Sequence, residues 1–191
     1  MIIEGIVTTT DPDGGLHVAA MGPWVDDGER EAGRITRLVL KPFVTSRTAS
    51  NLTLRPVGVF HLTDDVLFLA RIVAGIPGAA PASRPAEKVS GRVLVEACQA
   101  WEFEVDAVDD SRERIELKAR VVAAHAGRPF VGFNRAAHAV VEAAILVTRL
   151  HLLAPADVRG QLAALQPLVE KTGGAREREA FALLAARVAA G

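Results

Sequence analysis

Lys41-Pro42-Phe43-Val44-Thr45-Ser46-Arg47-Thr48-Ala49-Ser50-Asn51-Leu52 is the stretch on which the reading of this chain turns. It ends a β-rich run over residues 35–40 and gathers two cations, two Thr, two Ser and one Asn. A short helical pattern over residues 48–55 follows, and then the apolar strand Val57-Gly58-Val59-Phe60. Hydroxyls, a guanidinium and free backbone N–H groups at a helix start are what a phosphate needs. Behind a glycine-turned hairpin, the cluster suggests a phosphorylated cofactor rather than a nucleic acid. The same residues also read as a helix N-cap with a solvated arginine beside it.

Upstream, residues 2–9 and 16–21 are strand-like, and Asp11-Pro12-Asp13-Gly14-Gly15 between them is a strong turn signal. Residues 26–32 are polar and read as a loop, and residues 34–40 as the next strand. Downstream, residues 57–62 form an apolar strand. Thr63 then caps a helix over residues 66–74, with Asp64 and Asp65 where the helix dipole favours acids. Residues 76–86, with three prolines, read as an irregular loop. Three further strands are expected over residues 92–97, 101–108 and 114–125. The second puts Trp101, Phe103, Val105 and Ala107 on one face; the third does the same with Ile115, Leu117, Ala119 and Val121.

After Phe133 the pattern becomes helical and rich in Ala and Leu over residues 134–153, 156–171 and 176–190, punctuated by Pro155 and Gly173-Gly174. A β region of about six or seven short strands followed by helices is an α+β chain, and tight turns favour a barrel over an open sheet. The division expected is 1–133 for the β domain and 134–191 for the helical subdomain.

Composition narrows the function classes. The chain has 191 residues, half of them apolar, and a net charge of −1. That is enough for one good core, and it offers no general attraction to nucleic acid. A single cysteine, Cys98, excludes an internal disulfide and a thiolate-rich metal site; it reads as a buried apolar thiol rather than a nucleophile. There is no signal-peptide pattern and no apolar run of about 18 residues. The expectation is a soluble, cytoplasmic protein without membrane contact.

No metal site is expected from His17, His61, His125, His138 and His151, which show no H-x-x-x-H or H-E-x-x-H spacing. Asp64-Asp65 reads as helix capping rather than Mg²⁺ binding. Walker, G-x-S-x-G and G-x-G-x-x-G motifs are absent, so hydrolase, NTPase and Rossmann-dehydrogenase readings lose their usual support. Two features carry two readings each. Ala19-Ala20-Met21-Gly22 either lets a flat ring lie against backbone or packs closely on a neighbouring strand. Arg135, His138, Glu142 and Arg149 fall within about a 60° arc of a helix, with Glu142 placed to accept from His138. They either line a polar cavity or form an ion-pair ladder at an interface.

Several stretches together resemble one family. They are Met1-Ile2-Ile3-Glu4 with Val7-Thr8-Thr9-Thr10, Ala19-Ala20-Met21-Gly22-Pro23, Lys41-Pro42-Phe43 through Asn51-Leu52, Thr63-Asp64-Asp65-Val66 and Cys98-x-x-Trp101. The most specific is Gly132-Phe133-Asn134-Arg135-Ala136-x-His138-Ala139-Val140-Val141-Glu142-Ala143-Ala144-Ile145-Leu146. The chain resembles the domain-of-unknown-function 447 family, a relative of the FMN-binding split barrels.

The resemblance implies a split β-barrel with a helical tail, which dimerises and binds FMN. In related flavin reductases and pyridoxamine-phosphate oxidases a Thr/Ser/Arg/Asn cluster holds the phosphate. Here those types stand at Thr45, Ser46, Arg47, Thr48 and Asn51, followed by Leu52. Ala19, Ala20, Met21 and Gly22 would carry backbone against the isoalloxazine. Two positions depart from the pattern, which has proline at Ala20 and asparagine at His61. Family members are associated with tetrahydromethanopterin-dependent one-carbon metabolism.

The function that the resemblance implies is that of a homodimeric FMN-dependent oxidoreductase acting on a small substrate, with a pterin-related one suggested by the one-carbon association. His138, beside Glu142, is the catalytic candidate for supplying a proton. The alternative is a non-catalytic flavin or pterin-cofactor carrier, docking a partner through Leu162, Leu165, Leu168, Phe181 and Leu184 of the helical tail.

Overall fold

The computed structural model describes residues 1–76 and 80–190. Contacts divide the chain into two units, Met1–Thr63 with Pro81–Pro129, and Asp64–Ala80 with Phe130–Gly191. The first unit contains strands β1 (Ile6–Thr10) and β2 (Leu16–Ala20), helix α1 (Asp27–Glu31), strand β3 (Arg37–Leu40) and helix α2 (Arg47–Leu54). It continues with β4 (Val57–Leu62) and, after a helix of the second unit, β5 (Ser83–Pro85), β6 (Arg92–Leu94), β7 (Gln99–Asp109) and β8 (Glu116–Ala126).

Six of these strands form one antiparallel sheet in the order β2-β1-β4-β7-β8-β3. The hairpin turn between β1 and β2 is closed by Asp11 and Gly15, with Gly14 at φ +89, a conformation that costs glycine little. Trp24 links the sheet's far side back to its start by bridging Val39 of β3 and Ile2 ahead of β1. Val7, Leu38, Leu40, Phe60, Phe103 and Leu117 fill the interior so formed, and Phe60 stacks on Trp101 at 5.6 Å. Ala49 and Leu52 of α2 plug the same core, which fixes that helix against β1 and β2. Gly58 is required in β4, because a Cβ there would lie 2.7 Å from Phe103 Cζ and 2.9 Å from the Thr8 carbonyl. This is an α+β split barrel with C-terminal helices.

The second unit is helical: α3 (Val66–Val73), α4 (Arg135–Thr148), α5 (Pro155–Thr172) and α6 (Ala175–Ala189). Asn134 caps α4 by accepting from Ala136 and Ala137 N–H, and Pro155 opens α5, where its missing N–H costs nothing. Ala136, Val140, Ala143 and Val147 recur at helical spacing and meet Val158, Leu162, Phe181 and Leu184 in one core. Small alanines let the helices approach closely. Among the described residues, no helix is long and apolar enough to cross a membrane.

Several expectations are corrected. Residues 26–32 include a short helix, α1, capped by Asp26. The cap of α3 is Asp65, which accepts from Phe68 N–H, and not Thr63. Part of the 76–86 loop is strand β5, paired with β6; residues 77–79 lie outside the described residues. Bulges between Glu102/Phe103 and Val105/Ala107 shift the register of β7, so Ala107 is exposed and not on the buried face with Trp101 and Phe103. The helix α3 belongs to the helical unit, although it precedes residue 134 in the chain. Leu162, Phe181 and Leu184 are buried inside that unit and Leu165 and Leu168 pack against its core, so these five make no docking surface.

Candidate functional site

Helix α2 begins where Ser46 turns extended (φ −78°, ψ 148°) and its hydroxyl accepts from Ala49 N–H. Arg47 and Thr48 then occupy the first turn, where backbone N–H groups have no acceptor within the helix. Arg47 donates from Nε (2.6 Å) and Nη2 to the Asp11 carboxylate, while its side chain stays 62 % exposed. Asn51, buried, donates through Nδ2 to Thr9 Oγ1 (3.0 Å) and Asp11 Oδ1 (2.9 Å). Thr48 Oγ1 lies 3.1 Å from His17 Nε2. These bonds tie α2 to the β1–β2 hairpin.

The structure therefore sorts the expected phosphate residues into two groups. Thr45 and Arg47 are exposed and offer a hydroxyl and a guanidinium outward. Thr48, Asn51 and Leu52 are buried and build the frame that aims them. Arg55 was not singled out from the sequence, yet it donates to the carbonyls of Asp11 and Pro12. Arg47 thus meets the Asp11 carboxylate and the field of Asp13, while the Arg55 guanidinium is held by backbone carbonyls alone. The Arg47 hydrogen bond holds the Asp11 carboxyl below its ordinary range, overcoming the opposing effect of burial with help from Asn51. Burial and then Arg47 lower the His17 imidazole, against the pull of Asp11. An anion placed against Arg47 and the first turn of α2 meets donors, positive charge and a rigid frame.

The second expected segment lies beside the first. Strand β2 is a free edge of the sheet, and its five residues are half-buried. Met21 N–H donates to the Gly5 carbonyl, and the register pairs Ala19 with Val7 and Ala20 with Ile6. Alternation then turns the Ala19 N–H toward β1 and the Ala20 N–H outward from the edge. At Gly22 a Cβ would come within 2.5 Å of Ile2 Cγ2, so the chain there runs close to its neighbour. His17 on β2 touches Thr48 on α2, and a strand rises about 3.3 Å per residue. Met21 consequently stands roughly 13 Å along the strand from the α2 cluster.

His61, the other departure, is wholly buried. Leu94 N–H donates to its Nε2 (3.0 Å) and its Nδ1 faces the Ile6 carbonyl (3.3 Å), so a neutral imidazole with its proton on Nδ1 stitches β6 to β4 and β1. Desolvation pushes it down to about 4. The sequence also concealed Glu102. On the face of β7 opposite Trp101, its buried carboxylate accepts from the N–H groups of Glu87 (2.6 Å), Lys88 (2.7 Å) and Val89 (3.1 Å), and from His125 Nε2 (2.7 Å). Burial alone would raise that carboxyl, but the three amides and the imidazole hold it low. In sequence Glu102 looks no different from Glu104 and Asp106, which alternate with it along β7 and are not buried. A cavity of about 100 Å³ beside His125, walled by Val93, Leu94, Ala97 and Ala100, is too small for a flavin.

His138 stands exposed on α4 in the helical unit, its ring edge-on to Phe133 at 5.8 Å. Among the described residues, Arg135, His138, Glu142 and Arg149 make no ion pair with one another, so the expected His138–Glu142 bond is not formed.

Two matching family models cover residues 3–128, the N-terminal domain of a protein of unknown function (DUF447), and residues 134–186, its C-terminal part. No curated protein matches the chain significantly. Among solved structures, an FMN-bound DUF447 protein of Methanosarcina mazei superposes with a TM-score of 0.83 at 19 % identity, covering 97 % of this chain and 94 % of that one. The styrene monooxygenase flavin reductase of Pseudomonas putida S12 gives 0.52 at 15 % identity, over 66 % of this chain and 81 % of its own. Component B of the Bacillus cereus nitrilotriacetate monooxygenase gives 0.53 at 18 % identity, over 65 % and 69 %. The helical unit lies within the longer match, while the barrel alone accounts for a fold of the flavin-reductase type. With its barrel and its helical tail each matched by the corresponding model, the chain belongs to the DUF447 family.

Proposed function

We propose that this protein is an FMN-binding flavoprotein, and an oxidoreductase acting on a small, pterin-related substrate of one-carbon metabolism. The observation that carries the cofactor reading is the juxtaposition of the α2 cluster with the free edge of β2, in a family whose Methanosarcina mazei member is FMN-bound. Arg47, Thr45 and the first-turn N–H groups of α2 would hold the phosphate, with Ser46, Thr48 and Asn51 as their frame. Arg55 adds positive charge behind them. Residues Ala19, Ala20, Met21 and Gly22 would lie along the ring. When bound, the flavin supplies the hydride chemistry, so the protein needs little acid–base equipment of its own. His138 is our candidate proton donor. The pterin assignment rests on family association.

Protein produced with added flavin should carry flavin absorbance, and calorimetry should detect FMN binding to the stripped chain. A colourless protein that gives no binding heat would sink the reading. Arg47→Ala should weaken FMN binding by about 1.5–3 kcal/mol, or roughly 10- to 150-fold, the worth of a charge-assisted contact. Unchanged affinity would move the phosphate elsewhere. Rapid bleaching on mixing with NADH or NADPH supports an enzyme using nicotinamide. His138→Ala should impair turnover with FMN still bound.

A further inference from the structure

We propose that FMN binding at the α2 cluster is coupled to uptake of a proton by His17, making it a charge-compensating residue of the phosphate site. The proposal rests on the FMN reading above and adds a residue to it. His17 projects from the hairpin strand β2, half-buried, with Nε2 3.1 Å from Thr48 Oγ1 in the first turn of α2. Two charged groups face it. Arg47 comes from α2 and Asp11 from the turn end of β1, and Arg47 is itself engaged by Asp11 and attracted by Asp13. Arg55 directs its guanidinium at the carbonyls of Asp11 and Pro12. Thr9 and Asn51 complete the surroundings without charge.

In this arrangement burial and the Arg47 charge hold the imidazole neutral near pH 7, since the opposing carboxylate is spent on Arg47. A phosphate dianion brings two further negative charges against Arg47, which Asp11 and Asp13 already attract. Arg47 then faces two anions, its repulsion of His17 is offset, and the charged imidazole becomes the favoured form. The balance is one protein, one FMN dianion and one proton going to one complex, with no bond made or broken. Linkage fixes the sign. Where the free imidazole is neutral and the bound one charged, affinity rises as pH falls, by at most about tenfold per pH unit for one proton. Below pH about 6 the phosphate itself takes a proton and blurs the effect, so the informative window lies above that.

The test is calorimetric titration of the full chain with FMN at pH 7 and 8, in two buffers of different ionisation heat. The expected result is buffer-dependent heat equivalent to a substantial fraction of one proton, and a Kd roughly three- to tenfold tighter at pH 7 than at pH 8. His17→Gln keeps an N–H for Thr48 and should bind FMN with buffer-independent heat and a flat Kd; His17→Asn serves if that variant does not fold. Riboflavin, which lacks the phosphate, should show no linked proton on the unsubstituted protein. Tight FMN binding without proton uptake, or the same uptake in the His17 variants, would overturn the role of His17 while leaving the cofactor in place. No FMN binding at either pH would overturn both.

Discussion

His61 shows how a single buried side chain sets a pH dependence for the whole fold. Both ring nitrogens are engaged by backbone of the barrel unit, and the ring is neutral there with its titration pushed down to about 4. In the unfolded chain it titrates near the ordinary histidine value of about 6.5. Between these values the unfolded state holds a proton that the folded state lacks, so stability is full above the unfolded value and falls with falling pH. Over about 2.5 pH units this amounts to roughly 3 kcal/mol. Urea denaturation at a series of pH values between 7 and 4 should show that loss, and His61→Asn should flatten it. An equally steep profile in the variant would assign the effect to another group. Asparagine is the apt replacement because its amide, like the neutral imidazole, carries both a donor and an acceptor for the two backbone groups. From sequence alone His61 read as a departure near a flavin, because nothing local shows that residues 6 and 94 converge on it. Arg47 and Ser46 were legible, since a capping hydroxyl and a cation at a helix start are local signals. Asp11 was read only as a turn residue, and its grip on Arg47 and Asn51 depends on a hairpin folding back across α2.

Elements were legible wherever local chemistry decides them. Asp11 to Gly15 announced the β1–β2 hairpin, and the apolar run that became β4 was bounded correctly at Val57 and Leu62. Strand β5, Ser83–Pro85, carries no alternation, and its pairing with β6 alone makes it a strand. The five residues of α1 include no apolar spacing at all, only the Asp26 cap. The register of β2 yields a prediction at this scale. Ala19 N–H points into the β1 ladder and Ala20 N–H away from it, so proline should discriminate between adjacent positions. Ala20→Pro removes no ladder bond, and its denaturation midpoint should correspond to a change within about 1 kcal/mol, whereas Ala19→Pro should cost about 3 kcal/mol or more. A larger cost at Ala20 than at Ala19 would put the edge in the other register. FMN binding by Ala20→Pro should be retained, since the outward N–H takes no part in the ladder and proline stiffens the strand.

At the scale of the molecule, the most exposed large apolar side chains among the described residues lie just ahead of α4. Phe130, Val131 and Phe133 are 47 %, 87 % and 88 % exposed, and the two rings meet edge-on at 5.8 Å. The exposed His138 ring continues the patch, and Arg135, Glu142 and Arg149 follow along the same helix without ion pairs among themselves. Contiguous exposed aromatics with a charged border are the composition of a protein interface, not of a solvated face. We propose that a second copy of the chain covers it. In a two-fold arrangement the same patch serves both partners, so a stripe carrying both signs can pair Arg with Glu across the axis. Sedimentation at micromolar concentration should give a dimer. Phe133→Asp places a charge in the centre of the contact and should yield a monomer with an unchanged circular dichroism spectrum. Arg149→Glu, at the border, should weaken the dimer by only about 1 kcal/mol, with the loss diminishing in high salt. A wild-type monomer, or a Phe133→Asp protein that stays dimeric, would place the subunit contact elsewhere or remove it. The same pair of variants bears on His138. If its part is to donate a proton, turnover in Arg149→Glu should persist wherever the dimer persists, whereas His138→Ala should lose turnover in a dimer that still sediments as one.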